Sequence, residues 1–489
     1  MAYTHFERLS ALDDSFLEIE NGKSHMHIGA VAIFEGGPLL SPDGGIDIDR
    51  VRALMEAGIH RIPRYRQRLE WTPVLGQPVW VDDARFNLAY HVRHTHLPKP
   101  GDDRQLRRLA GRLMSQELDR GKPLWEMWVV EGLQDDRFAI ITKAHHCMID
   151  GVGSVELTGS VMRPTPDPDP ALEQAPPPWL PRQVPSKAEL LGAELAHRAM
   201  APFHAASSLA RAVASPRSSI DSARQLVGGL AEAFGAGLVS ASASPLNVEI
   251  GPHRRFDWTS CDLATLRSMR ERYGATVNDA ILSLLAGAIG RFFHRRGIDR
   301  LPADFRVMVP INVRNTETRH DVGNRVAMML VRLPLEEHDP VRRLERTVEE
   351  TRRAKGSRQA AGMQTIEDLS DATFTTLFSE FARLTALSRP YNLVVTNVPG
   401  PPFPVYVCGA RMLACYPLVP LFSNQALGVA LFSYDGVVHW GFNADWDAMP
   451  DLHDLVDAVD REVALMRDLV AGSSVTRPTK PAGDAGDAA

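Results

Sequence analysis

Residues 138–151 read FAIITKAHHCMIDG, and the interpretation of the whole chain depends on this stretch. The apolar run FAIITKA predicts a buried strand, and two adjacent histidines, His145 and His146, follow at its end. Asp150 comes four residues after His146, and Gly151 allows a sharp turn into the next element. Polar rings at the end of a buried strand are costly unless their nitrogens are bonded or used in chemistry. The stretch therefore predicts a strand-to-turn site built around an imidazole.

The chemistry expected of this site is proton transfer. A neutral imidazole accepts a proton from a hydroxyl or a thiol near pH 7, which makes His146 the candidate base. Asp150 either orients the ring of His146 or braces the loop. Because the spacing His-x-x-x-Asp is common by chance, a purely structural role is the alternative. Cys147 as a nucleophile is a second alternative, although an extended chain would direct its side chain away from that of His146.

The composition excludes several classes of protein. With 489 residues, of which 44% are hydrophobic and 23% charged, the chain is typical of a globular protein of two or three domains. A net charge of −6 lacks the basic footprint that neutralises phosphates, so we expect no nucleic-acid partner. Four cysteines without zinc-ribbon spacing do not form a disulfide scaffold, and they favour a reducing compartment.

Targeting and membrane segments are not predicted. The first residues, MAYTHFERLSALDD, lack a basic segment followed by an apolar run, which argues against a secretory signal. No run of 18 or more uninterrupted apolar residues occurs, so we expect no spanning helix. Attachment to a membrane surface stays compatible with the sequence.

A proline-rich segment divides the chain into two halves. Residues 163–187, RPTPDPDPALEQAPPPWLPRQVPSK, hold too much proline for a helix or a central strand and predict an extended linker. An alanine-rich tract follows at 188–240, broken by prolines such as Pro202. Ser186 with Glu189 fits the capping box of its first helix.

Helical and strand patterns alternate in both halves. In the second half, an apolar helix is predicted at 277–295, and two strands at 426–434 and 437–444 are joined by Asp435-Gly436, a type I′ hairpin signal. Two α+β halves connected by the proline-rich segment are the simplest architecture.

Other polar residues have plausible structural roles. His91, His94 and His96 alternate in a strand-like segment without an evident third ligand nearby, so we expect packed or surface histidines and no metal site. Asn278 and Asp279 stand at the start of the apolar helix, where capping or a favourable first-turn charge is their default role.

Several sequence blocks follow one another in a fixed order between about residue 8 and residue 469. HHCMIDG at 145–151 has the form HHxxxDG. The other blocks are LSALDDSFLEIE at 9–20, MHIGAVAIFEG at 26–36, PRYRQRL at 63–69, FNLAYHVRH at 86–94, LDRGKPLWEMWVVEGL at 118–133, TVNDAILSLLAGA at 276–288, VPINVR at 309–314, GNR at 323–325 and TNVPGP at 396–401. In these blocks and their order the chain resembles the bacterial wax ester synthase/diacylglycerol acyltransferases of the CoA-dependent acyltransferase superfamily. Cys147 departs from the small residue, such as alanine, that is common there, and this leaves the base unchanged.

The resemblance implies an α+β fold of two chloramphenicol-acetyltransferase-like domains, each a two-layer α/β sandwich, with a reaction tunnel between them. On this basis we expect an N-terminal acyltransferase-like domain at 1–163 and a C-terminal one at 246–471. A proline-rich linker and alanine-rich helical connector would occupy 164–245, and a disordered tail 472–489.

The resemblance also implies the reaction. A long-chain fatty acyl group would pass from acyl-CoA to diacylglycerol, giving triacylglycerol, or to a long-chain alcohol, giving a wax ester. Acyl-CoA would be a co-substrate, and no cofactor or metal is expected. His146 would take the proton of the acceptor hydroxyl, and that oxygen would attack the thioester directly, without an acyl-enzyme. Asn278 is the candidate donor to the oxyanion.

Supporting roles follow from the same resemblance. His145 would assist His146 or hold the strand end, while Asp150 would pair with an arginine, for which Arg314 is the candidate. Gly151 and Asp279 would be structural.

The segment Pro123, Leu124 and Trp125 would either shape the acyl tunnel or pack the domain. Substrates this apolar predict a cytoplasmic protein associated peripherally with a membrane or lipid droplet, with 188–240 as a candidate contact or, alternatively, an inter-domain helix packed on the core. Two other functions stay open: an acyltransferase of the same superfamily with a non-lipid acceptor, and a lipid-binding module without turnover. Acceptor preference, acyl chain length and oligomeric state do not follow from the sequence.

Overall fold

The computed structural model describes residues 5–41, 45–74, 76–148, 161–167, 178–213, 240–312, 326–356 and 389–472. Within these ranges the chain forms two six-stranded β-sheets and one three-stranded sheet. Asp150, Gly151 and Arg314 lie outside the described residues.

The first six-stranded sheet comes mainly from the N-terminal half. Its strands are β2 (His27–Glu35), β5 (Val92–His96), β6 (Trp125–Leu133), β7 (Arg137–His145), β12 (Tyr406–Val407) and β13 (Ala410–Leu418). They are ordered β12-β13-β2-β7-β6-β5, with β2 and β7 paired antiparallel in the middle.

The helices of this half are α1 (Ala11–Ile19), α2 (Ile48–Ile59), α3 (Leu88–His91) and α4 (Asp103–Met114). Alternation along β2 divides the core, because Val31 and Ile33 pack in the cluster that holds α4, whereas Phe34 packs with Met55 of α2. A capping box, in which Asp102 and Gln105 satisfy each other's backbone N–H groups, starts α4.

The second six-stranded sheet comes from the C-terminal half. Its strands are β8 (Arg254–Asp262), β9 (Phe305–Asn312), β10 (Val326–Leu333), β11 (Leu393–Pro399), β14 (Leu427–Tyr434) and β15 (Val437–Asp445), in the order β10-β9-β11-β14-β15-β8. Neighbours β9, β11 and β14 are parallel. The helices are α6 (Leu263–Tyr273), α7 (Val277–Arg295), α8 (Pro340–Gly356) and α9 (Leu452–Gly472). Helix α7 is the core helix, with residues such as Leu282, Leu285 and Ile289 fully buried.

Two strands of the C-terminal half, β12 and β13, join the N-terminal sheet. Strand β13 lies between β11 and β14 in the chain, yet it pairs with β2 from Met412 to Leu418. It also passes so close to β15 that a Cβ at Gly441 would lie 1.9 Å from the carbonyl oxygen of Pro417. Only glycine, which has no Cβ, permits this approach. The two sheets are therefore joined through β13.

A small sheet carries the connector helix. Strands β1 (Phe6–Arg8), β3 (Gln67–Trp71) and β4 (Pro78–Asp82) form it in the order β1-β4-β3. The connector is α5 (Lys187–Val213), whose Leu190 packs in a cluster with Phe6, Val79 and Val81.

The capping box of α5 is confirmed, since Ser186 Oγ accepts from the Glu189 N–H and the Glu189 carboxylate accepts from the Ser186 N–H. The prediction that Pro202 breaks the tract is wrong, because α5 runs through it. A proline removes one helical N–H donor, which disfavours a helix without forbidding it. Residues 214–239 lie outside the described part.

The predicted fold class is confirmed, since the described chain consists of two α+β halves. The hairpin signal is confirmed as well: Asp435 and Gly436, both with positive φ (45° and 82°), join β14 to β15. The proposed domain limits stay predictions, and β12 and β13 add that residues 406–418 belong to the N-terminal sheet. Among the described residues, no single helix has the length and apolarity to cross a membrane, whereas the bent pair α6–α7 meets that test by length and composition.

Candidate active site

The histidine pair lies where β7 ends and a short 3-10 turn, His146–Met148, begins. Both neighbouring segments hold the backbone at this point. The N–H of His145 donates to the carbonyl of Leu124 at 2.9 Å, and the N–H of His146 donates to the carbonyl of Met26 at 2.7 Å. The ladder of β7 therefore ends at His145, and His146 is the first residue beyond it.

The ring of His146 is held from one side and open at one nitrogen. It stacks on Phe16 of α1, with ring centroids 4.0 Å apart and planes 23° apart. Its Nδ1 is buried without a hydrogen-bond partner, whereas Nε2, also unbonded to the described residues, is not buried. Burial lowers the pKa of His146 from 6.5 to about 4, which keeps the ring neutral near pH 7. A neutral imidazole with an open nitrogen is what a general base requires.

The neighbouring ring of His145 is bonded within the protein. Its Nδ1 accepts the backbone N–H of Cys147 at 3.2 Å, and its Nε2 lies 3.4 Å from Oε1 of Glu20. The latter contact is an electrostatic one and not a hydrogen bond, since Nε2 of His145 has no hydrogen-bond partner. His145 thus contacts the turn that carries His146 and a buried acid on α1's C-terminal side.

Sequence reasoning missed two residues of this site, Glu20 and Phe16. Both belong to the block LSALDDSFLEIE, which contributed to the family resemblance without a role for either side chain. Glu20 also accepts from Arg120 at 2.6 Å and from the Met26 N–H at 3.1 Å. Burial by itself would raise the pKa of Glu20, but His145 and Arg120 outweigh it and hold this pKa well below its usual range.

Cys147 is poorly suited to act as the nucleophile that was considered as an alternative. Its side chain is buried, with 3% exposure. Burial raises the pKa of the Cys147 thiol well above its usual range, so the thiolate is disfavoured.

The Pro123-Leu124-Trp125 segment packs the domain core. Leu124 and Trp125 are buried, and the carbonyl of Leu124 anchors the end of β7. Trp125 donates its Nε1–H to the carbonyl of Tyr65 at 2.9 Å and stacks on His91, whose Nδ1 lies 2.7 Å from the Trp125 carbonyl. These contacts place the segment behind the histidine pair as support.

The Asn278–Asp279 pair begins α7. Asp279 completes a capping box with Thr276 and also accepts from Thr351 Oγ1 at 2.6 Å, so its contacts are structural. Asn278 is partly exposed, and its side-chain amide makes no hydrogen bond with the described residues. Its assignment to the oxyanion stays a prediction, as does the tunnel between the halves.

A second polar region lies at the C-terminal ends of the parallel strands β11 and β14. A cleft of about 490 Å³ is lined there by residues that include Asn397, Ser433, Val277 and two arginines, Arg267 and Arg270. Both arginines are exposed, and neither has an ion-pair partner among the described residues. Open α/β sheets commonly bind ligands outside the carboxyl ends of their strands.

In the described part of the chain, no group of three or more His, Cys, Asp or Glu side chains is arranged to hold a metal ion.

Two family models match the chain. The wax ester synthase/diacylglycerol acyltransferase catalytic domain matches residues 9–281, and the WS/DGAT C-terminal domain matches residues 322–467. A probable diacylglycerol O-acyltransferase of Mycobacterium tuberculosis (strain CDC 1551 / Oshkosh) is 30% identical over 480 residues, covering 96% of this chain and 97% of the relative. A second probable diacylglycerol O-acyltransferase of that strain is 32% identical over 453 residues, covering 91% and 95%.

Two solved structures are similar. The wax ester synthase/diacylglycerol acyltransferase from Marinobacter aquaeolei VT8 aligns with a TM-score of 0.65 and 26% identity, covering 95% of this chain and 100% of that one. The starter condensation domain of rhizomide synthetase aligns with a TM-score of 0.54 and 13% identity, covering 96% and 95%, a likeness of fold alone.

Proposed function

Because the chain belongs to the wax ester synthase/diacylglycerol acyltransferase family, we propose that it is an O-acyltransferase that moves a long-chain fatty acyl group from acyl-CoA to diacylglycerol, to a long-chain alcohol, or to both. The observation that carries this proposal is the neutral imidazole of His146 at the end of β7, whose Nε2 is not hydrogen-bonded to any of the described residues. Similarity over nearly the whole chain to probable diacylglycerol O-acyltransferases supports it.

His146 acts as the general base. Its Nε2 takes the proton of the acceptor hydroxyl while the hydroxyl oxygen attacks the thioester carbonyl carbon. The resulting tetrahedral oxyanion collapses, the carbon–sulfur bond breaks, and the CoA thiolate recovers the proton from His146. No acyl-enzyme is needed, since a thioester is already activated, and the high pKa of buried Cys147 argues against one.

Asn278 is the proposed donor to the oxyanion. Its amide is unbonded among the described residues and stands in the first turn of α7, where the helix dipole also favours negative charge. Thr276 and Asp279 fix the backbone of this turn through their capping box.

A tunnel for the apolar chains is supported by one face of the N-terminal sheet. Ile28, Ala30, Thr142 and Cys415 share this face by strand register and remain partly exposed, although they lie on adjacent central strands. Phe432 of β14 packs against the same core cluster from the C-terminal half. We propose that the acyl and acceptor chains occupy the space along this face.

The donor's phosphates are assigned to the cleft that contains Arg267 and Arg270. Two exposed guanidinium groups without an ion-pair partner in the described part of the chain favour phosphate oxygens, and the N-terminus of α7 at Val277 adds a favourable dipole. Glu271 also lines the cleft and opposes an anion there. Val277, which lines the cleft, and Asn278, the proposed oxyanion donor, both belong to the first turn of α7.

We also propose peripheral association with a lipid surface. The β3–β4 connection exposes Trp71 by 40% and Val74 by 93%, and α5 exposes Leu195 by 55% and Met200 by 50%. Tryptophan and aliphatic side chains at such protruding places insert favourably into the membrane interface. The beginning of α5 packs on the small sheet, so the connector combines core packing with this exposed surface.

The test is transfer from labelled palmitoyl-CoA with diacylglycerol and hexadecanol offered in competition, followed by thin-layer chromatography and a free-thiol assay. Labelled triacylglycerol, wax ester or both, with thiol release that depends on an acceptor, is the expected result. Thiol release without a lipid product, or no thiol release with either acceptor, would contradict the function.

Replacing Arg267 and Arg270 together by serine should raise the KM for palmitoyl-CoA more than it lowers kcat.

A further inference from the structure

Glu20 connects three elements around the histidine pair. It follows α1, the helix whose Phe16 stacks on His146, and its own N–H donates to the carbonyl of Phe16. Its Oε1 accepts the N–H of Met26, and the carbonyl of Met26 in turn accepts the N–H of His146. One carboxylate is therefore two hydrogen bonds away from the backbone of the proposed base.

The same carboxylate also faces His145. Because Nδ1 of His145 accepts the Cys147 N–H, a neutral His145 ring must carry its proton on Nε2, the nitrogen 3.4 Å from Oε1 of Glu20. This Nε2 is buried and makes no hydrogen bond, so Oε1 of Glu20, at 3.4 Å, is the charged acceptor that a proton on Nε2 faces. The acid and the turn thus select the same tautomer.

The site is built to keep this acid ionised. The Glu20 side chain is only 11% exposed, yet Arg120 donates to its second oxygen at 2.6 Å. His27 brings its Nε2 to 3.7 Å of Oε1 from the neighbouring strand. A buried carboxylate with an arginine on one oxygen and two imidazoles on the other is a fixed anchor rather than a solvated charge.

We propose that Glu20 is a positioning residue for acyl transfer: by holding His145 as its Nε2–H tautomer and Met26 by its N–H, it fixes the 3-10 turn that presents His146. This inference rests on the proposed function for the reaction it serves, but the geometry it describes exists without substrate. Glu20 itself touches no reacting atom.

The kinetic test uses Glu20→Gln, which keeps the chain length and an oxygen for the Met26 N–H but removes the charge. The kcat of palmitoyl transfer falls by roughly 10–100-fold, as for other partners that orient a functional histidine, with little change in KM or Tm. Glu20→Asp, which retains the charge, recovers part of the rate. The matched control is Glu117→Gln, which removes an exposed carboxylate 3.9 Å from His25 and leaves kcat unchanged.

The structural test is ¹⁵N NMR with histidine-specific labelling, in which the His145 signals are those lost in His145→Gln. In the wild type, Nε2 of His145 carries the proton and Nδ1 does not; a neutral ring protonated at Nδ1 would overturn the proposal. Two kinetic outcomes would also overturn it. One is a wild-type kcat in folded Glu20→Gln, and the other is a decrease in kcat that is fully explained by a smaller fraction of folded protein. If the wild type transfers no acyl group, the proposed function is refuted. The tautomer measurement would still test whether Glu20 positions His145.

Discussion

His146 owes its neutral state to burial, and it lies just beyond the last paired residue of β7. Phe16 covers one face of the ring, Nδ1 is enclosed, and Nε2 makes no hydrogen bond with any described residue. A base with a depressed pKa is a weaker proton acceptor than free imidazole, but it is never lost to protonation at neutral pH.

The first prediction concerns pH. With the pKa of His146 lowered to about 4 by burial, kcat/KM should stay flat as the pH falls from 8 to about 5. Stability should behave differently, because burial lowers the pKa of His27, His91 and His439 as well. The unfolded chain binds protons at these histidines below about pH 6.5, whereas the folded chain binds them only at lower pH. The Tm should therefore fall as the pH decreases below about 6.5. Initial rates and Tm measured together test this, and a rate that halves near pH 6.5 at constant Tm would count against it.

The second prediction concerns Asn278→Ala. If its amide donates to the oxyanion, kcat should fall by about 10²–10³-fold while KM changes little. Steady-state kinetics with varied palmitoyl-CoA measure the split. The comparison variant is Asp279→Ala, which loses the contacts to Thr276 and Thr351 and should lower the Tm. A pure KM effect in Asn278→Ala would remove it from the oxyanion site.

At the scale of single residues, the sequence predicts the candidate base His146 but not Glu20, the residue proposed to position it. Two adjacent histidines after an apolar strand indicate a functional site, because burying their polar rings costs free energy unless the rings are hydrogen-bonded or take part in chemistry. The role of Glu20 could not be predicted in this way, because Glu20 is one of several acids in its block. Its contact with His145, which is distant in the chain, exists only in the folded protein. The sequence likewise does not distinguish Arg267 and Arg270 from the many other arginines of the chain.

At the scale of elements, the turn and cap signals translated directly into structure. Thr276 to Arg295 forms a capped helix where the apolar run predicts one, and Asp435-Gly436 forms a hairpin, since both depend on local chemistry. The exchange of β13 into the N-terminal sheet was not predicted. A strand's own pattern shows that it is buried on a face but does not name the strand it pairs with.

The third prediction tests what holds this exchanged strand. Tyr434 Oη donates to the carbonyl of Met412 at 2.9 Å and accepts the Val405 N–H at 3.0 Å, and the side chain is buried. Tyr434→Phe leaves both backbone groups without their partner, which should lower the free energy of unfolding by about 1–3 kcal/mol. Denaturant titration measures it, with Tyr406→Phe in β12 as the control. Equal stability of the two variants would show that the bond contributes nothing.

At the scale of the whole molecule, the two halves share structure rather than merely touching. Residues 406–418 leave the C-terminal sheet, join β2, and return to β14. The N-terminal sheet is therefore incomplete without strands from the C-terminal half, whereas the C-terminal sheet is built from that half alone.

The fourth prediction follows from this shared strand. Scanning calorimetry should show one cooperative unfolding transition, because β13 pairs within the N-terminal sheet, packs closely on β15 and lies between β11 and β14 of the C-terminal sheet in the chain. Addition of palmitoyl-CoA should move that transition to higher temperature, as for any ligand of the folded state. Two transitions well separated in temperature would mean that the halves are independent units.

The fifth prediction is the most direct test of the account, which depends on one imidazole serving a lipid acyl transfer. Labelled palmitoyl-CoA is given with diacylglycerol and hexadecanol to the wild type, to His146→Ala and to a control, His60→Ala, at an exposed histidine. The account predicts labelled triacylglycerol or wax ester from the wild type and the control. His146→Ala should keep its Tm and lose rate by about 10²–10⁴-fold. Lipid product formed by folded His146→Ala at the wild-type rate would contradict it.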